Sequence, residues 1–304
     1  MRRLKPKVIV IVGPTASGKT STSIKLAKEL NGEIISADSM QIYKEMNIGT
    51  AKPSLEERDG IKHYLMDIVS PEETFNVTMY KKMAEEAIEE ILSHGKLPII
   101  VGGTGLYVST LINGIEFSEV KEDVDYRKEM QALAESKGPN YLHDMLKEID
   151  PIAAENIDMN NVRRVIRALE IYKVTGKTKT QLDKESIKET KYDYLVYGIE
   201  TPREKLYDRI NLRVDKMLEE GLIEEVKTLL EKYKISKTAF QGLGYKEVKE
   251  YLDGQVSYED MIEKLKMETR RYAKRQLTWF RREKKIKWLS LDEITEVVIS
   301  EYKK

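Results

Sequence analysis

The chain has 304 residues, 40% hydrophobic and 34% charged, enough to bury a substantial core as one large domain or two. Its 52 basic residues balance 52 acidic ones, so any nucleic acid must be held by a local patch rather than by net charge. The absence of cysteine excludes disulfides and thiolate metal sites, and His63, His94 and His143 are too scattered for a metal cluster and read as solvated or core side chains.

No run approaches the length of a membrane span, and the N-terminus, with Arg2, Arg3, Lys5 and Lys7, runs into its first apolar stretch without a leader pattern. A soluble cytoplasmic protein is expected. Val8-Ile9-Val10-Ile11-Val12 reads as a buried strand, and Ile24, Leu26, Ala27 and Leu30 have the spacing of a helix. Between them stands Gly13-Pro14-Thr15-Ala16-Ser17-Gly18-Lys19-Thr20, a Gly-x4-Gly-Lys-Thr phosphate-binding loop in its proper strand-loop-helix setting. Backbone N–H groups and the helix start would face an anion, Lys19 would add a compact positive charge, and the Thr20 hydroxyl would ligate Mg²⁺. The loop alone leaves open whether that anion is a nucleotide such as ATP or another diphosphate.

Glu33 to Ser36 reads as a second strand, followed by Asp38-Ser39-Met40-Gln41-Ile42-Tyr43. Ligands of open parallel sheets sit beyond the carboxyl ends of strands, so Asp38 should share a crevice with the phosphate loop. It reads equally as a proton acceptor, as a support for Mg²⁺ through water, or as a helix cap. Tyr64 to Val69 reads as a third strand containing a structural Asp67, and Asn76 to His94 as a helix stopped by Gly95. Leu97 to Val101 forms a fourth strand, and Gly102-Gly103-Thr104-Gly105-Leu106-Tyr107 a turn whose glycines permit close approach to a ligand, with Thr104 either facing the crevice or capping the next helix. From 118 to 191 strand signals vanish and helical segments take over, including Tyr126 to Glu135 and Val162 to Tyr172 ahead of Gly176. Tyr192 to Thr201 then restores a strand. The expected fold class is α/β, a P-loop core on a parallel sheet with helices on both faces. Its domains are 1–117, the first part of the core; 118–191, an inserted all-helical domain; and 192–304, the completion of the core with C-terminal basic helices.

Arg270 to Lys287 holds nine basic residues and one acid, Glu283, a net charge of +8. On a helix Arg270, Lys274 and Arg281 fall near one face, with Leu277, Trp279 and Phe280 as apolar surface. Trp279 and Phe280 each read as core-facing, while the strip as a whole reads as a nucleic-acid surface. Arg163, Arg164 and Arg167 form a second, weaker cluster, and the residues after the strip read as a charged tail.

Taken in order, GPTASGKT, ISADSMQIYKEMNIGTAKP, IIVGGTGLY, RRVIRALEIYKVTGKT, GLGYKEV and AKRQLTWFRR resemble the tRNA isopentenyl transferase family, over residues 8 to about 290. The resemblance implies that Gly13 to Thr20 bind the diphosphate of dimethylallyl diphosphate with Mg²⁺ at Thr20, that Arg213 reaches the same diphosphate, and that the prenyl group passes to the exocyclic amine of the adenosine 3′ of the anticodon. It makes Asp38 the proton acceptor, with Lys19, Thr20 and Thr104 also catalytic, and puts Thr104 in contact with both substrates. It implies tRNA contacts at Asp38, Ser39, Met40, Gln41, Arg127, Arg163, Arg164, Arg167, Gln241, Gly244, Lys246, Lys274, Arg275, Gln276, Trp279 and Arg281. A monomer is expected. The chain departs from the family pattern at Gln241-Gly242, where a basic residue and a different small residue are usual. Three other readings stand beside this one: a P-loop kinase using ATP, a prenyltransferase for free adenine nucleotides, and a non-catalytic RNA-binding module. The first two leave the +8 strip unexplained.

Overall fold

The structure, a computed structural model, describes residues 5–117 and 120–304. Arg2, Arg3 and the Ser118 start expected for the helical insertion lie outside the described residues. Along the chain run β1 (Lys7–Val12), α1 (Lys19–Glu29), β2 (Gly32–Ser36), β3 (His63–Tyr64), α2 (Val77–Ser93), β4 (Leu97–Gly102) and α3 (Gly105–Ile112). Five helices come next: α4 (Val124–Lys137), α5 (Pro139–Ile149), α6 (Pro151–Asn156), α7 (Val162–Thr175) and α8 (Lys179–Ser186). The remainder is β5 (Asp193–Glu200), α9 (Arg203–Glu219), α10 (Leu222–Lys232), α11 (Tyr245–Leu252), α12 (Tyr258–Phe280), β6 (Lys287–Ser290) and α13 (Ile294–Tyr302).

The chain divides into two compact units, one of Met1–Ile112 with Lys191–Lys304 and one of Asn113–Thr190. In the first, six parallel strands lie in the order β3-β2-β4-β1-β5-β6. Strand alternation sends Val8, Val10 and Val12 of β1 to one face, where Ile35, Ile100 and Val196 join them under α2, α3, α10, α11 and α12. Ile9 and Ile11 turn to the other face, packing with Ile34, Ile99 and Ile199 against α1 and α13. All five apolar residues of β1 are fully buried, worth on the order of 10 kcal/mol of gross burial at about 2 kcal/mol each. An unbroken β-branched run is what a strand covered on both faces requires.

Helix α2 starts where expected because the Asn76 side chain accepts from the N–H groups of Thr78 and Met79. The third strand is shorter than expected. Only His63 and Tyr64 pair with β2; Leu65 (φ 62°) and Asp67 (φ 57°) are left-handed and interrupt the extended run. Asp67 pairs with Lys52 and Arg58, and Val69 meets Tyr43 in an isolated bridge. The tail after the basic strip is also more ordered than a charged tail. Lys287–Ser290 pairs with β5 along Tyr197 to Glu200, and Ile294 and Val298 of α13 are buried. A strand of four residues opening on lysine has too little apolar periodicity to stand out from the charges before it.

The second unit is built of α4 to α8 around Leu142, Leu146, Val165 and Leu169, all fully or almost fully buried. The buried Glu170 carboxylate accepts a two-point contact from Arg127 and further bonds from Arg167 and the Asp123 N–H. Helix α7 ends on Gly176 in the left-handed conformation, as its position after the last apolar turn requires.

Candidate active site

Sheet register explains why motifs far apart in sequence meet. Val12 of β1 is level with Gly102 of β4, and Ser36 of β2 is level with Val101, so the loops after these three strands emerge side by side. Gly102 is needed for that approach, because a Cβ there would stand 2.1 Å from the Ala37 carbonyl oxygen. The Ala37 carbonyl then accepts from Thr104 N–H at 3.1 Å, and Thr104 Oγ1 accepts from Ser39 N–H at 3.0 Å and lies 3.3 Å from Ser39 Oγ. Thr104 is thereby fixed to the residue next to Asp38.

These loops enclose a cavity of about 350 Å³ within the first unit. One wall is the phosphate loop with Thr15, Lys19 and Thr20, and the opposite wall includes Asp38 to Gln41. Helix α1 begins at Lys19 with no side chain capping its first turn, so its first backbone donors face outward from the loop. Lys19 Nζ donates to the Pro14 carbonyl at 2.6 Å. Burial, reinforced by repulsion from Arg213 and opposed by Asp38, brings Lys19 down to about 7. Burial also lowers Arg213, against the attraction of Asp38 and Glu57. Arg213 reaches the cavity because α9 buries Leu206, Ile210 and Val214 on the adjoining face. Two half-buried basic side chains beside one carboxylate tilt the site toward positive charge, which favours an anionic ligand.

Asp38 caps no helix, since residues 39–42 form a turn. Oδ1 accepts from the N–H groups of Met40 at 2.9 Å and Gln41 at 3.4 Å, fixing the turn, while Oδ2 takes no hydrogen bond from a described residue. One carboxylate oxygen is committed to the turn and the other is left uncommitted. Gln41 is tied down at both ends of its amide, accepting from Ser36 Oγ and donating to the Thr50 and Ala51 carbonyls. These bonds shape the 47–53 wall of the cavity. The same wall is held from outside by Glu225, whose carboxylate accepts from the N–H groups of Asn47, Ile48 and Gly49 and from the Tyr245 hydroxyl.

Helix α12 closes one side. Met261, Leu265, Thr269, Ala273, Gln276 and Phe280 are buried at three- and four-residue spacing, and Thr269, Tyr272, Arg275 and Gln276 line the cavity. Gln276 is buried, with its amide bonded to Thr15 N–H and to the Gly103 carbonyl. Lys274, Arg275, Arg281, Arg282 and Lys284 have no acidic partner among the described residues. The other basic residues of the strip are engaged: Arg270 with Asn211, Arg271 with Glu268, Lys285 with the Ile112 carbonyl, and Lys287 with Glu301. Phe280 is core, as expected. Trp279 is not; it is 37% exposed, its indole lies over Gly105 and donates to Ser109 Oγ.

Gln241 and Gly242 line the cavity, whereas Gly244 starts α11 with its N–H held by Glu247 and Lys246 points toward Glu250. Arg127, Arg163, Arg164 and Arg167 belong to the second unit, where Arg127 and Arg167 bind Glu170; Arg163 and Arg164 are both exposed. Two titratable cavity residues, Tyr272 and His63, are not singled out by any motif. Tyr272, one turn before Gln276, could have been found by continuing the helical period of α12 inward; burial raises its phenol far above the ordinary range. His63 has no local signal, and burial holds its imidazole below the usual value.

A glycine-rich loop with the phosphate-loop sequence set at the end of a parallel strand, beside a cavity lined by a carboxylate and a basic helix, defines an α/β protein with the architecture of the phosphate-loop class. The chain belongs to the IPP transferase family, whose family model matches residues 41–283. It is 56% identical over 288 residues to a tRNA dimethylallyltransferase of Acetivibrio thermocellus, covering 94% of this chain and 92% of that one. It is 49% identical to the one of Carboxydothermus hydrogenoformans, covering 98% of each. Among solved structures it resembles the full-length tRNA isopentenylpyrophosphate transferase of Bacillus halodurans, with TM-score 0.72 and 48% identity over 97% of this chain and 94% of that one. It also resembles a eukaryotic dimethylallyltransferase acting on tRNA, with TM-score 0.80 and 37% identity over 94% of this chain and 74% of that one.

Proposed function

We propose that the chain transfers the dimethylallyl group of dimethylallyl diphosphate to the exocyclic amine of the adenosine immediately 3′ of the anticodon of tRNA, releasing diphosphate. The family membership and the tRNA dimethylallyltransferases similar to it over nearly their full length support this reading. The single observation that carries the chemistry is the pair of half-buried basic side chains, Lys19 and Arg213, lining one cavity with a carboxylate that has an uncommitted oxygen.

The donor diphosphate lies against the phosphate loop and the start of α1. As the allylic C–O bond breaks, its electron pair moves onto the diphosphate, and Lys19, Arg213 and the backbone donors stabilise the charge that develops. The amine nitrogen forms the new C–N bond, and its proton goes to Asp38 Oδ2. Thr104, fixed by Ser39, orients the acceptor beside Asp38. Adenine must leave its stack to reach this point, and the unpartnered cations of α12 bind phosphates of the surrounding RNA.

A magnesium ion fits this chemistry with few protein ligands. No cluster of three or more His, Cys, Asp or Glu occurs among the described residues, but Thr20 lines the cavity, and Mg²⁺ is commonly held by one or two protein oxygens plus substrate phosphates and water. When bound it would neutralise charge on the leaving diphosphate. The working unit in this reading is a monomer in the cytoplasm, where tRNA is the acceptor.

The test is incubation with labelled dimethylallyl diphosphate, Mg²⁺ and bulk tRNA, counting label in RNA, beside a parallel assay of ATP turnover. Asp38→Asn keeps the Oδ1 turn and removes the base. Transfer should fall at least about a hundredfold while tRNA affinity stays within a few-fold. Label absent from RNA, or ATP consumed without it, would refute the reading.

A further inference from the structure

The buried amide of Gln276 has one orientation that satisfies both neighbours: its Oε1 accepts from Thr15 N–H at 2.9 Å and its Nε2 donates to the Gly103 carbonyl at 3.0 Å. No other pairing works, because the Thr15 N–H can only donate and the Gly103 carbonyl can only accept. One side chain of α12 therefore ties the phosphate loop to the turn that carries Thr104. Gly103 has room for nothing larger, since a Cβ on it would stand 2.1 Å from Gln276 Nε2. The phosphate loop is held at its opening half from two directions, by Gln276 at Thr15 and by Lys19 at the Pro14 carbonyl, which also accepts from Ser17 N–H. Its second half, from Ala16 (φ 62°) through Gly18 (φ 96°) to Lys19, is the part whose backbone faces the anion.

We propose that Gln276 is a positioning residue of the donor site: its amide fixes the phosphate loop relative to the Gly103-Thr104 turn, so that its loss weakens diphosphate binding and leaves tRNA binding intact. The family resemblance implies the opposite for this position, a contact to tRNA. A side chain 6% exposed, with each end of its amide already bonded inside the protein, is committed to holding the two loops and has little surface to offer an RNA. Its neighbours Lys274 and Arg275 are exposed on the same helix and do have that surface. A loop free at Thr15 can sample conformations in which its donors no longer converge, and that disorder must be removed each time the anion binds.

This inference rests on the reading of the loop as a diphosphate cradle, and the experiment separates the two. The full chain and Gln276→Met, which keeps the volume and deletes both hydrogen bonds, are titrated with inorganic diphosphate and Mg²⁺ in a calorimeter without tRNA. Unmodified tRNA is titrated separately by filter binding. Diphosphate should bind Gln276→Met about tenfold more weakly, the loss of one well-placed hydrogen bond, with tRNA affinity unchanged within about twofold. In steady state KM for the prenyl donor should rise by a similar factor and kcat should change less. If Gln276→Met does not fold, Gly103→Ala severs the same link from its other end and is measured in the same way. Wild-type protein that binds no diphosphate would overturn the cradle reading and this inference with it. Wild-type protein that binds while the variant binds equally well, or a variant that loses tRNA affinity instead, would overturn this inference alone.

Discussion

Lys19 is the residue whose charge state the site controls most strongly. Burial first, and then Arg213, bring it to about 7, so near neutral pH the diphosphate-free protein holds Lys19 only partly protonated. A bound diphosphate stabilises the ammonium and raises that value again. Binding must therefore take up a proton wherever pH exceeds the free-protein value, and affinity must fall as pH rises above it, by at most about tenfold per unit until the bound-state value is passed. Well below that free-protein value Lys19 is already charged and the uptake vanishes. Calorimetry of diphosphate binding about one unit above it, in two buffers of different ionisation enthalpy, should show an uptake approaching about one proton. Lys19→Arg, which stays charged throughout, should lose that component while retaining the ligand's own protonation, so the difference between the two proteins isolates Lys19. An identical uptake in both would contradict the assigned value.

Helix α12 carries chemistry on its inner face and charge on its outer one, and the basic residues of the strip are not equivalent. Arg275 and Arg281 have no acidic partner among the described residues, whereas Lys287 pairs with Glu301 and Lys285 is bonded to the Ile112 carbonyl. Double neutralisation of Arg275 and Arg281 should weaken tRNA binding and flatten the slope of log Kd against log salt by roughly one unit per residue. Neutralising Lys287 should leave that slope unchanged, although all three residues lie within the same +8 strip. Charge counting along the sequence finds this helix but cannot sort its members, because the groups that engage them lie elsewhere: Glu301 is on α13 and Asn211 comes from α9. The same limit runs through the rest of the fold. The phosphate loop, the second and fourth strands and α2 are legible because each has a local signature: a β-branched run, a capping Asn76 or a glycine stop. The break in the third strand is not, because Leu65 and Asp67 turn left-handed where Asp67 meets Lys52 and Arg58, residues of a separate loop. Asp38 can be placed in the crevice from its distance to a strand end, while the roles of Gln276, Tyr272 and Glu225 emerge only once α12, α10 and the loops are folded together.

At the scale of the whole molecule, the two units have separate cores, and the cavity belongs entirely to the first. The second holds two buried carboxylates, Asp150 and Glu170, of which Glu170 ties α4 to α7. Burial alone would raise the Glu170 carboxyl, but hydrogen bonds from Arg127, Arg167 and the Asp123 N–H outweigh it and hold the group below its ordinary value. A lowered carboxyl contributes stability that is present above the unfolded value, about 4.3 for glutamate, and is lost as pH falls through the folded one. Glu170→Ala removes the acceptor at every pH and leaves the Asp123 N–H without its partner; Arg127 and Arg167, each about one-third exposed, can recover water. The cost should be about 2 kcal/mol rather than the larger loss expected when both partners are sealed from solvent. Because Glu170 lies in a core that shares no residue with the sheet, hydrogen exchange read by mass spectrometry should lose protection across α4 and α7 while the amides of β1, β4 and β5 keep theirs. Diphosphate binding in the cavity of the first unit, measured on the full chain at a temperature where the variant remains folded, should be unchanged. Equal loss of protection in β1 would show that the two cores unfold as one cooperative body.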